Sequence, residues 1–529
     1  MIKPALQYFI CLAFIFSSCN ISDLEFENIK NPTYSPSIAV KLGSASYTIK
    51  ELVDDIEDEQ LEINEGSDFS LSFIYRDTTE FDVSDDFIKI PTIENSLGFA
   101  GGNTLPATPI EVVLPVSEIL TFDYDAADGE LIDSVFYSGG NLDFEIRSDF
   151  GGVFNFTWTI INMKEIATDQ DLSDQISGSS VANFNRPLLG LKSLISNSSG
   201  KNEFQLKIDG TITIPKGTAV VPSQQLTIAV KFTNPSFSSI FGNFGTKTVD
   251  IANQTIDMAG FEEFGESGLE LNDPRITLEI DNSYGITMGT SLAGMVAINN
   301  DGTELALTGD IITDGVNING ASHLNVGGFV TSVIEINKTN SNINELLNST
   351  PTSMIFPVTA TLNPASSTLE TNFLQDNSKI IQRTIVEIPL DVKMDGFSRE
   401  FDFDISDIEI EDATSLSIRI ITKNEIPFTG TVDLQFLDLA GNILHTIDDE
   451  KLFVAPAVDA NGRTIAPLEN IEDIVLDQAG IDALIASDKV NVILRIDSFD
   501  AANGTFVKIF SDYKLEFELS LTGSISIDL

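Results

Sequence analysis

A short acidic run is the part of the sequence whose residue types and spacing best suit metal binding. Asp123, Asp125, Asp128 and Glu130 stand close together, with Gly129 between the last two. Alternating carboxylates supply the oxygen ligands that Ca²⁺ prefers, and glycine permits the sharp bend of a calcium loop. The spacing departs from the usual loop, because two residues rather than one separate Asp125 from Asp128. We predict a calcium site here; the alternative is a turn formed by the same residues without metal.

Groups that perform catalysis are sparse. The chain has two histidines, His323 and His445, and two cysteines, Cys11 and Cys19. A zinc site needs three or four ligands, so histidine-based zinc is not expected. Neither a phosphate-binding glycine loop nor a dinucleotide fingerprint occurs in the sequence. The alternation of strands and helices that both motifs require is also missing. Carboxylate pairs are inevitable in a chain with 80 acidic residues and do not by themselves indicate a glycosidase. The sequence therefore predicts a protein that is not an enzyme and has no cofactor, calcium excepted.

The first residues predict export and attachment to lipid. Residues 1–18 combine Lys3 with roughly a dozen mostly apolar residues, which matches a signal peptide and is too short to span a membrane. The segment Phe16-Ser-Ser-Cys19 resembles a lipobox, although the family pattern prefers leucine at the first position. The resemblance implies cleavage before Cys19 and transfer of a diacylglycerol, with acyl chains such as palmitate, to its sulfur. The mature chain would then be anchored to a membrane without crossing it; the alternative is an ordinary secretory signal.

Acidic residues follow the predicted anchor closely. Asp23, Glu25 and Glu27 resemble the export signal of Bacteroidota lipoproteins that are displayed on the cell surface, although that signal usually begins nearer the cysteine. The resemblance implies a surface-exposed protein on the outer membrane. A solvated linker of the same composition is the alternative.

Composition narrows the range of partners. Lys plus Arg number 29 and Asp plus Glu number 80, which gives a formal net charge of −51. Such a field repels a phosphate backbone, so nucleic acid is not expected as a partner. Anionic lipid headgroups are poor partners for most of the surface for the same reason. Apolar residues make up 42% of the chain, which predicts a folded rather than a disordered protein.

Alternation of apolar and polar residues predicts an all-β fold. It is clear over Leu226–Phe232, Ile276–Ile280, Val490–Ile496 and Tyr513–Leu521. One apolar face per strand is typical of antiparallel sheets with one side on a core. We predict several antiparallel β-sandwich domains in tandem, immunoglobulin-like or LEA-2-like, with few short helices.

Turns and helices are marked by local signals. Residues that tolerate positive φ predict tight turns at Asp209-Gly210, Asp301-Gly302, Asp314-Gly315 and Asn461-Gly462. Val296–Leu307 predicts one complete hairpin. Short helices are expected over Thr48–Ile56, Asn342–Asn348 and Asp477–Ser487.

Breaks in the alternation suggest the domain organisation. Successive segments are the signal peptide 1–18, an anchor linker and N-terminal segment 19–100, a β domain 101–185, β-sandwiches 186–270 and 271–375, and a C-terminal β-sandwich 376–529.

A weak internal repeat supports related sandwiches. Strands run into an asparagine and then a turn at Asn234, Asn282 and Asn424. Asparagine can leave a strand in a left-handed conformation and bond to nearby backbone. Strand ends of the Asn-Pro or Asn-x-Ile-Pro kind resemble those of LEA-2-like β-sandwich proteins.

The chain as a whole resembles large lipoproteins of Bacteroidota. The resemblance includes the signal, the acidic linker, the β-rich body and the segments Asp273-Pro274, Asn282-Ser-Tyr-Gly and Asn372-Phe-Leu-Gln-Asp-Asn-Ser. It implies a location, the cell outer membrane, but no defined activity. We therefore expect a structural or protein-interaction role, with other envelope proteins or an extracellular ligand as partners. A glycan- or nutrient-binding accessory protein and a lipid carrier are the alternatives.

Overall fold

The computed structural model describes residues 33–34, 37–53, 61–82, 88, 92–100, 102, 104–123, 130–195, 200–258, 268–313, 315–365, 371–405, 413–525 and 527–528. The predicted signal peptide, Cys19 and the acidic residues after it lie outside the described residues, as do Asp125 and Asp128. Regular structure is dominated by antiparallel sheets, so the all-β prediction is confirmed.

Alternating segments give thirteen strands up to residue 243: β1 (Thr33–Tyr34), β2 (Ser37–Thr48), β3 (Leu61–Glu65), β4 (Leu71–Phe81), β5 (Ile93–Ala100), β6 (Val112–Asp123), β7 (Leu131–Ser148), β8 (Val153–Glu165), β9 (Asp171–Gly178), β10 (Val181–Pro187), β11 (Leu191–Leu194), β12 (Glu203–Ile214) and β13 (Gln225–Asn243).

Twelve described strands follow up to residue 394: β14 (Lys247–Asp257), β15 (Leu269–Leu271), β16 (Arg275–Asn282), β17 (Met288–Ser291), β18 (Val296–Ile298), β19 (Glu304–Ala306), β20 (Val316–Ile318), β21 (Val330–Ile336), β22 (Ser353–Leu362), β23 (Asn372–Gln375), β24 (Ile380–Pro389) and β25 (Asp391–Met394). The remaining described strands are β26 (Phe397–Asp404), β27 (Ala413–Asn424), β28 (Phe428–Leu437), β29 (Ile443–Phe453), β30 (Leu468–Leu476), β31 (Lys489–Ser498), β32 (Val507–Lys508), β33 (Lys514–Ile525) and β34 (Ile527–Asp528).

Helices in the described part are short: α1 (Ile49–Val53), α2 (Asp310–Thr313), α3 (Ile343–Asn348) and α4 (Gln478–Ala486), with 3-10 turns at His323–Asn325 and Ala501–Asn503. Three of the four α-helices lie where the sequence predicts them. The carboxylate of Asp477 caps α4 by accepting a hydrogen bond from the Gly480 amide at 2.9 Å. Among the described residues, none of the helices has the length and apolar character needed to cross a membrane.

Sandwich 1 consists of β5 to β13. One layer has the strand order β5-β13-β7-β10 and the other has β6-β12-β8-β9. The short strand β11 pairs with both β7 and β8 and thereby joins the layers. Trp158 of β8 fills the space between them, with its ring centroid 5.5 Å from that of Phe144 and 4.7 Å from that of Phe184.

Sandwich 2 combines β3 and β4 with most strands from β14 to β24. One sheet has the order β21-β16-β24-β4-β3, and the other has β19-β18-β22-β17-β20 with β14 beside β22. Strand β23 pairs instead with β13, so it belongs to the sheet of sandwich 1. Buried residues of sandwiches 1 and 2 form one continuous core. This continuity indicates that the two sandwiches stabilise each other.

Sandwich 3 combines β2 with strands from the C-terminal part. Its sheets have the orders β2-β33-β27-β30 and β26-β31-β28-β29, and they enclose a second core. A small sheet, β15-β25-β32, connects it to sandwich 2. At this connection the Met394 amide donates a hydrogen bond of 3.1 Å to the Ser498 hydroxyl.

Strand pairing does not follow the predicted domain boundaries at residues 100, 185, 270 and 375. Strand β2, in the predicted segment 19–100, pairs along β33 near the end of the chain. Strand β4, from the same segment, pairs with β24. Sandwich 1 extends without interruption across residue 185. The reason is physical: alternation defines the buried face of a strand but not its partner, so the sandwiches are nested along the chain.

One predicted turn is wrong. Asp209-Gly210 lies within the long strand β12, between two neighbouring strands. A Cβ atom on Gly210 would lie 2.0 Å from the backbone oxygen of Asn155, so glycine serves the close approach of β8 rather than a turn. The other three predicted turn glycines have positive φ: Gly302, Gly315 and Gly462. The predicted hairpin is confirmed by the pairing of β18 with β19.

Candidate functional site

Two of the predicted calcium residues, Asp123 and Glu130, are described, and they lie where sandwich 1 meets sandwich 2. Asp123 ends β6, and one of its carboxylate oxygens is 3.4 Å from the ammonium of Lys201. Glu130 precedes β7; its side chain is 1% exposed, and Oε1 lies 3.0 Å from the ammonium of Lys247. Both described carboxylates thus face a lysine that compensates their charge. The described residues include no group of three or more metal-ligating side chains.

Calcium at this loop stays a prediction, because Asp125 and Asp128 lie outside the described residues. The ion pair of Glu130 with Lys247 gives the region a structural role that needs no metal. It connects the start of β7 in sandwich 1 to the start of β14 in sandwich 2. Nearby, the buried Asn202 amide donates to the Glu130 backbone oxygen at 2.8 Å and accepts from the Ile132 amide at 2.8 Å.

An apolar crevice in sandwich 1 bears on the lipid-carrier alternative. It lies between the layers beside Phe122 and Ile160, with a volume of about 10 Å³. The rings of Phe204 and Phe232 stack across it with centroids 5.1 Å apart. A space of this size holds about one water molecule, whereas ligand pockets measure several hundred cubic ångströms. This crevice is therefore core and does not hold an acyl chain.

The end of sandwich 1 farthest from sandwich 2 is the strongest candidate for a binding surface. Strands β5, β7, β9 and β12 end there, and β6, β8, β10 and β13 begin there. The connections at this end, which we call the tip loops, are residues 104–111, 149–152, 179–180 and 215–224. Loops held at one end of a rigid sandwich are a common location for binding residues.

Hydrogen bonds between backbones fix the tip loops to one another. Leu105 and Val220 exchange two amide-to-carbonyl bonds of 2.9 Å, and the Gly217 amide donates to the Thr108 oxygen at 2.8 Å. The Gln224 side-chain amide donates to the Asp149 oxygen at 2.7 Å. Because the loops are already ordered, binding there would lose little conformational entropy.

Apolar side chains are exposed on and beside the tip loops. Ile110 is 69% exposed, and Val113, Val153, Val181 and Val221 are also exposed. Val113 and Val153 flank Thr213 on the outer face of the sheet. Clustered exposed apolar residues mark interaction sites more often than isolated ones do.

The tip loops differ in charge from the rest of the molecule. They contain three charged residues, Glu111, Asp149 and Lys216, in a chain whose net charge is −51. Depletion of charge with exposed apolar side chains is the composition of an interface core. The exposed large apolar residues of the tip are aliphatic, so the aromatic platform of a sugar-binding surface does not occur among them. The surface suits binding by shape and apolar contact.

Sequence reasoning missed this surface. One signal was available: the segment Leu105-Pro-Ala-Thr-Pro-Ile110 places an apolar residue beside two prolines, outside any alternating strand. Its neighbour, the loop 215–224, is more than a hundred residues further along the chain, and single-sequence patterns do not show that the two meet.

Comparisons with known proteins give no assignment. No protein-family model matches the chain, and no curated protein matches it. The crystal structure of a presumed secreted protein from Parabacteroides distasonis matches with a TM-score of 0.32 and 14% identity, over 54% of this chain and 88% of that chain. A structure of infectious bursal disease virus, Gt strain, matches with a TM-score of 0.16 and 9% identity, over 89% of this chain and 82% of that chain. Neither TM-score defines a shared fold.

Proposed function

We propose that the chain is a lipid-anchored lipoprotein of the outer membrane, exposed at the cell surface, that binds a protein partner through the tip of sandwich 1 without catalysis. The observation that supports the proposal is that the described chain ends and the tip of sandwich 1 lie at opposite ends of the molecule. Both described chain ends leave from sandwich 3, where β1 pairs with β34. The tip lies at the far end of sandwich 1, beyond sandwich 2. An anchor at Cys19 would hold sandwich 3 near the membrane and present the tip away from it.

The chemistry of the tip favours a protein partner over a glycan. Aliphatic side chains on preordered loops provide apolar contact area, whereas sugars are usually stacked on aromatic rings. The low local charge also avoids the repulsion that the net charge of −51 would impose on an acidic partner.

Two measurements test the two parts of the proposal. For the anchor, Cys19→Ala should move the protein from the membrane fraction to the soluble envelope fraction; unchanged membrane retention would overturn it. For the tip, a photo-crosslinking residue replaces Ile110, and a matched control replaces Ile465, which is also 69% exposed but lies in sandwich 3.

The expected result at position 110 is one discrete crosslinked protein of constant mass, abolished by Val221→Asp in the same chain. Position 465 should not give that product. Identical products at both positions, or no product at either, would overturn the tip as a binding surface. Circular dichroism of the Val221→Asp variant checks that the fold is retained.

A further inference from the structure

An exposed apolar surface lies at the end of sandwich 3 farthest from sandwich 2. Leu439 is 84% exposed, and Ile443, Leu444 and Ile485 are also exposed at this end. We call these four residues the base patch. Leu439 occupies the turn between β28 and β29, Ile443 and Leu444 begin β29, and Ile485 lies near the end of α4. The patch therefore joins two elements of the sandwich.

The base patch is held in place by hydrogen bonds. In the turn, the Asp438 carboxylate accepts bonds from the amides of Ala440 at 2.9 Å and Asn442 at 2.8 Å. The Asp488 amide, just after α4, donates to the Leu437 oxygen at 2.9 Å. These contacts fix the turn relative to the helix, so the apolar side chains form a defined surface rather than a loose loop.

The same end of sandwich 3 is where the chain enters and leaves. Ser37 begins β2 opposite Ser524 of β33, and Leu416 pairs with Leu476, which ends β30 just before α4. Strand β1 pairs with β34 directly before this point. Thr33, the first described residue, therefore lies at the end that bears the base patch.

The number of residues between Cys19 and β1 limits how far the base patch can lie from a lipid on Cys19. Fourteen positions separate Cys19 from Thr33. At about 3.3–3.6 Å per residue they span at most roughly 50 Å even when fully extended. A lipid on Cys19 would thus keep the base patch at a high effective concentration beside the membrane surface.

We propose that the base patch rests on the lipid surface to which the chain is anchored, through apolar contact with the acyl boundary rather than through charged headgroups. The inference depends on the proposed lipid anchor at Cys19. Apolar side chains gain free energy by entering the boundary between headgroups and acyl chains. Charged residues at this end include Asp404, Asp438, Asp477, Asp482 and Asp488 against Lys489, and this acidic excess disfavours an anionic headgroup.

The test uses the full lipidated chain in phosphatidylethanolamine and phosphatidylcholine vesicles. Leu439→Cys carries a nitroxide label, and Leu324→Cys is the matched control. Leu324 is 86% exposed but lies in sandwich 2, in the 3-10 turn between β20 and β21. Both natural cysteines precede residue 20, and lipidation blocks Cys19, so the introduced thiol is labelled alone.

The measurement is the accessibility of each label to oxygen, which concentrates in lipid, relative to a water-soluble nickel complex. We expect the oxygen-to-nickel ratio at position 439 to be several-fold higher than at position 324, and to fall toward it when a third of the lipid is anionic. Equal ratios at both positions on vesicles that carry the protein would overturn the base patch as a membrane contact. A high ratio at position 439 in the unlipidated Cys19→Ala chain, in buffer without lipid or detergent, would also overturn it and would indicate contact with a second copy.

Vesicle flotation separates this failure from failure of the anchor. If the protein does not float with the vesicles, the anchor proposal and the inference that depends on it both fail. If the protein floats and position 439 behaves like position 324, only the base patch is refuted.

Discussion

Asn282 and Asn424 show how one residue type organises strand ends in two sandwiches. Each side-chain amide donates to the backbone oxygen four residues ahead, at Ile286 and Phe428 respectively, at 3.0 Å. Each side-chain oxygen accepts from the amide two residues ahead at 2.8 Å. Both also donate to a distant backbone oxygen. The sequence repeat noticed at these positions therefore has a common physical basis.

The third asparagine of the repeat, Asn234, behaves differently. It adopts the left-handed conformation, with φ of 47°, as the sequence pattern allows. The turn predicted after Asn234 is wrong, because the residue lies within the continuous strand β13, where the register against β7 shifts between Thr233 and Ser236. A left-handed residue there accompanies an irregularity inside a strand, whereas Asn282 and Asn424 each end one.

Loss of the Asn424 side chain should destabilise sandwich 3. Asn424→Ala removes hydrogen bonds from three backbone groups, in a residue that is fully buried. Unsatisfied buried groups cost about 1–3 kcal/mol each, so we expect a loss of roughly 2–5 kcal/mol in the free energy of unfolding. Urea denaturation measures it. Asn470→Ala is the control, since its side chain makes one exposed bond to the Lys451 oxygen; equal losses in the two variants would contradict the prediction.

At the scale of elements, the strands were predictable and their partners were not. Alternation and the Asp477 cap located the strands and helix α4. The pairing of β2 with β33 joins residues more than 450 positions apart, and nothing local in either strand specifies the other. The tip loops were missed for the same reason, because the surface exists only once β6 and β12 are neighbours. A calcium site could be predicted at Asp123 to Glu130 because its signal lies within eight residues, and it stays a prediction.

Strands β29 and β30, from opposite sheets of sandwich 3, approach each other at two glutamates. Burial raises the pKa of the Glu450 carboxyl, and the negative charge and hydrogen bond of Glu472 raise it further. The folded chain therefore keeps this proton at a pH where the unfolded chain, with a pKa of about 4.3, has lost it. The sign follows from linkage: this group's contribution to stability is present at low pH and is lost as pH rises through the folded-state pKa.

Glu450→Gln should remove the loss of stability that deprotonation of Glu450 causes as pH rises. We expect the difference in melting temperature between the variant and the unmodified protein to increase in the variant's favour as pH rises from about 4 to 7. Glu469→Gln, which changes an exposed glutamate on β30, is the control for loss of one negative charge. A difference that stays constant over this pH range, or one shared equally by the control, would count against the prediction.

At the scale of the whole molecule, the described chain leaves sandwich 3 once, passes through sandwich 2 to sandwich 1, and returns. It begins in sandwich 3 with β2, contributes β3 and β4 to sandwich 2, builds sandwich 1, and then completes sandwiches 2 and 3. Both described ends consequently lie together, and the tip lies at the turning point. With this return path, the anchor proposed at Cys19 would orient the whole molecule.

Because the chain follows this path, we predict that the C-terminal domain expected from the sequence cannot form a complete sandwich by itself. Residues 376–529 lack β2, which pairs along β33, and Ile49, which is buried in the core of sandwich 3 and donates its amide to the Tyr513 oxygen at 2.9 Å. The isolated fragment should therefore be cut readily by protease, because β33 becomes an unpaired edge above an uncovered core. A peptide of residues 37–53 should bind it and slow proteolysis several-fold, whereas a scrambled peptide of the same composition should not. Equal resistance of the fragment with and without the peptide would show that sandwich 3 does not need β2. The nested path of the chain would then contribute nothing to the stability of this sandwich.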